Sequence, residues 1–226
     1  MDRRSWLAER RAAVELDYTK DGPTYDVGYD PVTPVHRRWV GRLVDTVPEG
    51  GWILDVPCGT GPYFSAVLAA GRNVVGADQS AGMLEAATAK CPAVRTEKIG
   101  LQEIAFNAEF DGVMCVDSME HVPPEEWPLV LRNLRRALMP GGHLYLTVEE
   151  TDPEHIEAAD AEARRAGTPA VFGEVTTPET GGYHFYPDRD RVRRWLAEGG
   201  FEPVGEEFEQ LDGYGYHHRL VRATGS

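Results

Sequence analysis

The chain has 226 residues, with 23 basic against 37 acidic side chains and a formal net charge of −14. That length suits one domain, and an acidic surface repels phosphate backbones, so no nucleic-acid partner is expected. Three cysteines with no close pair (Cys58, Cys91, Cys115) exclude a disulfide framework and argue against a zinc site; with no apolar run of about 18 residues and no signal-like start, no membrane partner is expected and the expected setting is the cytoplasm.

Ser5 can cap a first helix running to about Leu16. A loop rich in proline and tyrosine follows, with Tyr18, Tyr25 and Tyr29. Residues 1–34 are read as a helical lid segment and residues 35–226 as the main domain. From Val35 to Val47, Trp39, Val40, Leu43, Val44 and Val47 share one helical stripe. Trp52–Val56 is apolar on both sides, as a central parallel strand is. A glycine-bearing turn leads into a helix over Tyr63–Ala70, then a strand over Val74–Ala77 and a helix over Met83–Lys90. Val94–Ile99 and Phe110–Val116 are the third and fourth strands. A helix follows from about Glu125 to Leu138, and Pro140, Gly141 and Gly142 break it before a fifth strand, His143–Val148. Beyond a polar helix over Pro153–Ala166, Thr168–Gly182 reads as a long loop, often an active-site lid at such length. A last helix, Asp188–Gly199, precedes two closely spaced strands, Phe201–Phe208 and Tyr216–Ala223, which pair antiparallel. Alternating strand and helix give a mainly parallel sheet of seven strands with helices on both faces.

The strongest signal is Ile-Leu-Asp-Val-Pro-Cys-Gly-Thr-Gly, residues 53–61. A strand ends in an acid, Asp55, and Gly59 and Gly61 let the backbone approach a ligand at the carboxyl edge of the sheet. Phe64 stands where a dinucleotide fingerprint needs glycine or alanine, and no Walker lysine follows the turn, which disfavours nicotinamide cofactors and excludes a P-loop. Asp55 would repel a pyrophosphate but suits an ammonium or a sulfonium. Asp78 closes the second strand, where an acid accepts hydrogen bonds from ribose hydroxyls; its alternative use is to cap the helix beyond Ser80.

On these residues the chain resembles the class I S-adenosylmethionine-dependent methyltransferases, well over residues 35–150 and more loosely over the last two strands. The resemblance implies a three-layer, Rossmann-like α/β sandwich: a mainly parallel seven-stranded sheet, an antiparallel C-terminal strand and, here, an N-terminal helical cap. It implies S-adenosylmethionine as cofactor, with the methionine part at Asp55, Gly59 and Gly61 and the ribose at Asp78 and its neighbour Gln79. Met83 matches a position that packs on adenine, Gly100, Leu101 and Gln102 the segment that contacts it, and Val116 and Asp117 the segment beside the methyl group. Met139-Pro140-Gly141-Gly142 matches a structural turn of the family. One departure is Pro57, where the family turn has its first glycine and where no N–H is left to donate.

Methyl transfer from a sulfonium needs alignment and exclusion of water more than it needs a nucleophile. A base is required only for an acceptor whose proton has a high pKa. Glu120 and His121, just past the fourth strand, are candidates for that role. So are His184, in the aromatic run Gly181–Tyr186, and His217, which opens the last strand beside His218; neighbours on a strand face opposite ways, so only one of that pair can face the cleft. Asp117-x-x-Glu120-His121 also resembles the metal-binding segment of ubiquinone-pathway O-methyltransferases and small-RNA 2′-O-methyltransferases. That pattern opens on glutamate, however, and hard divalent ions want more oxygen ligands, so no metal is expected. The expected acceptor is a small molecule taking the methyl on oxygen or nitrogen, with the protein a monomer or homodimer. The competing readings are a protein or RNA methyltransferase and a sulfonium-binding protein that transfers nothing.

Overall fold

The computed structural model describes residues 1–27, 32–177 and 182–225. The elements run α1 Arg3–Asp21, α2 Pro34–Thr46, β1 Trp52–Asp55, α3 Phe64–Ala69, β2 Asn73–Asp78, α4 Ala81–Lys90, β3 Arg95–Lys98 and β4 Phe110–Cys115. They continue with α5 Trp127–Ala137, β5 Leu138–Thr151, α6 Pro153–Ala166, β6 Glu174–Thr177, β7 Gly182–Phe185, α7 Arg189–Glu198, β8 Phe201–Gln210 and β9 Tyr214–Ala223.

Seven strands form one sheet in the order β3-β2-β1-β4-β5-β9-β8. Only β9 runs against the direction of the other six strands, pairing antiparallel with β5 on one side and β8 on the other. The chain reverses its direction of winding between β1 and β4, and a crevice opens there at the carboxyl edge, as open α/β sheets require. Alternate side chains of the strands feed two cores. Ile53, Val74, Met114 and Tyr145 meet Trp39 and Leu43 of α2 and Phe64 and Val67 of α3. Leu54, Val75, Val113 and Leu146 meet Trp127, Leu131 and Leu134 of α5 and Leu196 of α7. Trp6 and Val14 of α1 join the second core.

Three expectations change. Asp2, not Ser5, caps α1, because its carboxylate accepts both the backbone N–H of Ser5 (3.0 Å) and the Ser5 hydroxyl (2.9 Å). The helix also runs past Leu16 to Asp21. The stretch read as a loop from Thr168 to Gly182 contains β6, paired antiparallel with β7 from Glu174–Phe185 to Thr177–Gly182. Valine, threonine and aromatic residues suit a ribbon, and Tyr183 and Phe185 bury their rings on its inner side. The Met139–Gly142 turn survives: the β4–β5 pairing jumps from Phe110–Leu138 to Gly112–His143.

Phe64 is fully buried between α3 and β2. The room comes from glycine: a Cβ at Gly76 of β2 would lie 2.5 Å from Phe64 Cζ. Phe64→Ala is therefore expected to destabilise the fold by about 3–5 kcal/mol, read from denaturant unfolding. A loss below about 1 kcal/mol would mean the helix collapses onto the strand without it.

Candidate functional site

The β1–α3 turn is built by its two glycines. Gly59 and Gly61 have φ of 50° and 71°, which side chains with a Cβ rarely adopt. The Cys58 N–H donates to Ala77 O (2.8 Å) and the Gly59 N–H to Asp78 Oδ2 (2.9 Å), so the turn is pinned without a donor at residue 57. The other oxygen of Asp78 accepts the Ser80 N–H (2.8 Å), while Ser80 itself caps α4 through Met83 N. Asp78 thus braces the turn and the start of α4 together. Burial raises its pKa, and the backbone donors work against that rise.

These elements line a cleft that opens to solvent. Its walls include Gly59, Asp78, Gln79, Met83, Gly100, Leu101, Gln102, Val116 and Asp117. Below the turn, Asp55 is 1% exposed and its Oδ2 has no hydrogen-bond partner among the described residues. Burial, and then the Asp78 charge, push its pKa well above the carboxylate range.

The N-terminal segment runs along the cleft. Arg11, Val14, Tyr18 and Tyr25 border the cleft. Asp26 accepts from the Thr60 hydroxyl (2.9 Å) and pairs with Lys90, tying this segment to the glycine turn. Arg3 reaches both Glu125 (2.5 Å) and the buried Glu174 (2.6 Å). Burial lowers the His121 pKa, which favours the neutral ring. Its Nδ1–H donates to Tyr183 O (2.9 Å), which leaves Nε2 to accept from the Tyr18 hydroxyl (3.0 Å).

Beyond Val116 the site turns acidic. Asp117 holds φ at 47°, a strained value for a residue with a Cβ. Its N–H donates to Thr147 Oγ1 (2.6 Å), and its carboxylate accepts from Thr147 (2.9 Å) and His36 Nε2 (3.0 Å). Burial lifts Glu120 well above the usual carboxylate range, and the charges of Glu149 and Asp117 add to the effect. Glu149 is pushed up to about 7, by burial and then by Asp117. No group of three or more His, Cys, Asp or Glu side chains among the described residues is arranged to hold a metal ion.

Residues 53–142 match the methyltransferase domain family. The ubiquinone biosynthesis O-methyltransferase of Dechloromonas aromatica is 30% identical over 194 residues, covering 82% of this chain and 76% of the relative. The chain belongs to the class I S-adenosylmethionine-dependent methyltransferases. Its methyl donor is S-adenosylmethionine. The demethylmenaquinone methyltransferase of Renibacterium salmoninarum is 26% identical over 222 residues, 93% of this chain and 92% of that one. The Burkholderia thailandensis 1,6-didemethyltoxoflavin-N1-methyltransferase, solved with 1,6-didemethyltoxoflavin and S-adenosylhomocysteine, shares the fold at a TM-score of 0.70 and 18% identity, over 95% of this chain and 88% of that chain.

In this methyltransferase the cleft gathers nearly all the residues expected at the cofactor. Asp55 and Gly61 stand behind its wall rather than on it. Of the four candidate bases only His121 reaches the cleft. Glu120 sits behind it, buried, and His184 packs on His121 at 4.9 Å between ring centroids. His217 does not join them. It points to the opposite face of β9, where Glu150 (3.4 Å), Glu206 (3.7 Å) and Arg219 (3.0 Å) surround it. His218 takes the inward place, held by Tyr145 (2.9 Å) and Glu209 (3.2 Å), because it is His218 that pairs across the ladder with Thr147. Two members of the acidic end, His36 and Glu149, carry no motif. The available signal for Glu149 was an acid at the carboxyl end of a central strand. Tyr29 and Gly181, expected at the lid and the acceptor loop, lie outside the described residues.

Glu149 gives the methyltransferase a measurable pH dependence. Its folded pKa, about 7, lies above the ordinary value of 4.5, so folding holds its proton more tightly than the unfolded chain does. Stability is then lost as pH rises from about 4.5 to about 7 and stays lost above it. Glu149→Gln removes that loss. The variant is expected to be more stable than wild type by up to about 3 kcal/mol at about pH 8. The gap should close as the pH falls through the carboxylate range. His184, lowered to about 4, lies 3.6 Å from Glu149, so the comparison is read above about pH 5, where the folded imidazole is mostly neutral. Thermal melts across this range decide it, and a gap that does not change with pH would show that Glu149 is not the titrating group.

Proposed function

We propose that this enzyme methylates an oxygen or nitrogen atom of a small molecule by in-line displacement. Bound in the cleft, S-adenosylmethionine supplies an activated methyl on a good leaving group. Gly59 and Gly61 would meet its methionine part, with Asp55 behind the turn, and Asp78 and Gln79 would meet the ribose hydroxyls. Met83 and residues 100–102 would enclose the adenine. Val116 and Asp117 would then border the methyl, with the acceptor on the side of Glu120 and Glu149. His121 would hold Tyr18 in place, since its one accepting nitrogen is already used. His184 would orient the acidic end, and His217 is given no chemistry.

The observation that supports a small acceptor is the N-terminal segment along the cleft, read as a roof. Tyr18 is anchored on His121, and Arg3 clamps α1 to Glu174 of the β6–β7 ribbon. A covered site admits a small molecule more readily than a folded protein or an RNA. Two relatives are named for quinone biosynthesis, which makes a quinol one hydroxyl acceptor to test. A cell extract separated by size and incubated with enzyme and labelled S-adenosylmethionine is expected to carry label in its small-molecule fraction. Label confined to protein or RNA would overturn the small-molecule reading. No label, with cofactor bound, would favour a protein that binds the sulfonium without transfer.

A further inference from the structure

Behind the cleft wall at Asp117 lie two further carboxyls, Glu120 and Glu149, that the methyl donor does not account for. Glu120 is 4% exposed and Glu149 9% exposed. Oε2 of Glu120 has no hydrogen-bond partner among the described residues. Among the described residues, no lysine or arginine is ion-paired with Asp117, Glu120 or Glu149. The basic groups that face them are imidazoles: His36 on Asp117 and His184, 3.6 Å from Glu149. Tyr216 pairs across the ladder with Glu149, Tyr186 holds His184 and Tyr18 holds His121. Burial raises the phenol pKa values of Tyr18, Tyr186 and Tyr216, and the charges of Glu120 and Glu149 raise all three further.

Burying carboxylates without a cation is costly, and an unpaired one is the worst case. A ligand cation removes the cost. Tyrosine faces add attraction for the same kind of group. A phenolate or carboxylate acceptor, by contrast, would put further negative charge against Asp117, Glu120 and Glu149.

We propose that the Asp117–Glu120–Glu149 cluster, together with Tyr18, Tyr186 and Tyr216, binds the protonated nitrogen of an amine acceptor. This rests on the small-molecule reading above and names the substrate class within it. Oε2 of Glu120 accepts an ammonium N–H, and Glu149 takes one proton to leave a neutral amine. The nitrogen lone pair then forms the N–C bond as the S–C bond breaks and its electron pair stays on sulfur. The product is the methylated ammonium, and the proton on Glu149 leaves to solvent.

The test uses the full-length enzyme saturated with S-adenosylhomocysteine, so that binding is read without turnover. Benzylamine, phenethylamine and tyramine are titrated by calorimetry beside the alcohols and carboxylic acids of the same carbon skeletons. At least one amine is expected to bind about tenfold or more tighter than its alcohol, with the acids not binding. Glu120→Gln and Glu149→Gln should each erase that preference while S-adenosylhomocysteine affinity stays within about twofold. The wild-type comparison stands even if one variant does not fold. Equal binding of amines and alcohols, no binding of any amine, or a preference that survives in both variants would overturn the proposal. So would Mg²⁺ binding to wild type that Glu120→Gln abolishes, since the cluster would then be a metal site. Failure of S-adenosylhomocysteine itself to bind would remove the methyltransferase reading along with it.

Discussion

Asp78→Ala is expected to weaken S-adenosylmethionine binding by about two orders of magnitude and to destabilise the fold by about 1–3 kcal/mol, because Gly59 and Ser80 lose the acceptor of their N–H groups. The carboxylate accepts two backbone N–H groups, from Gly59 and Ser80, and is the one acid on the cleft wall at the end of β2. Hydrogen bonds to a charged acceptor contribute about 1.5–3 kcal/mol each, and two lost toward the ribose give roughly that factor. The turn would also relax, because Gly59 loses the partner that fixes its N–H. Stability falls as well, because two buried N–H groups lose their acceptor, and burial, which raises the Asp78 pKa, offsets part of that loss. Asp78→Asn should fall between wild type and alanine, because an amide has one accepting oxygen for two donors. Calorimetry with S-adenosylmethionine, beside NADH as a ligand that should not bind, reads both. Wild-type affinity in Asp78→Ala would remove Asp78 from the ribose and return it to the role of a brace.

The sheet and the cofactor edge were legible because their signals are local. A strand, an acid and two glycines follow one another within residues 53–61, and the second acid closes the next strand. Phe64 was legible in what it excluded, but not in how it fits, since its partner Gly76 lies on another strand. The acidic end was hidden because it is assembled from distance. His36 comes from α2, Glu149 from β5 and Tyr216 from β9, and only the ladder places Glu149 opposite Tyr216. The histidine pair shows the same limit more sharply. Alternation says that one of His217 and His218 faces inward, but the choice needs the register, and a one-residue slip reverses it. The β6–β7 ribbon was obscured for a related reason. Its stabilising contact, Glu174 with Arg3 and the Tyr183 hydroxyl, joins residues far apart in the chain.

The lid makes a prediction that separates roof from core. The end of α1 rests on the start of α4 through two glycines: a Cβ at Gly82 would lie 2.1 Å from Thr19 O, and one at Gly22 2.3 Å from the Gly82 carbonyl carbon. Both contacts are with backbone, so nothing flexible can give way. Thr19 and Ser80 hydroxyls meet beside them at 3.1 Å. Gly82→Ala must therefore push the end of α1 outward, and Tyr18 moves with it. A displacement of about 1 Å at an aligning group can cost about 10²-fold in rate. The α4 helix does not suffer, since alanine is the better helix former by about 1 kcal/mol. Gly82→Ala is expected to keep cooperative unfolding of the sheet, to weaken S-adenosylhomocysteine binding by about tenfold, and to lose methyl transfer by about a hundredfold. Trp6 reports on the other half of the question, because it lies in the core at the far end of the same helix. Each large apolar side chain buried there contributes about 1.5–3 kcal/mol, so removing residues 1–21 outright should lower the unfolding midpoint far more than Gly82→Ala does. If the glycine variant instead unfolds as badly as the deletion, α1 is a core element along its whole length. If it binds cofactor and transfers methyl like wild type, the contact at Gly82 does not hold the roof, and Tyr18 is not an aligning group.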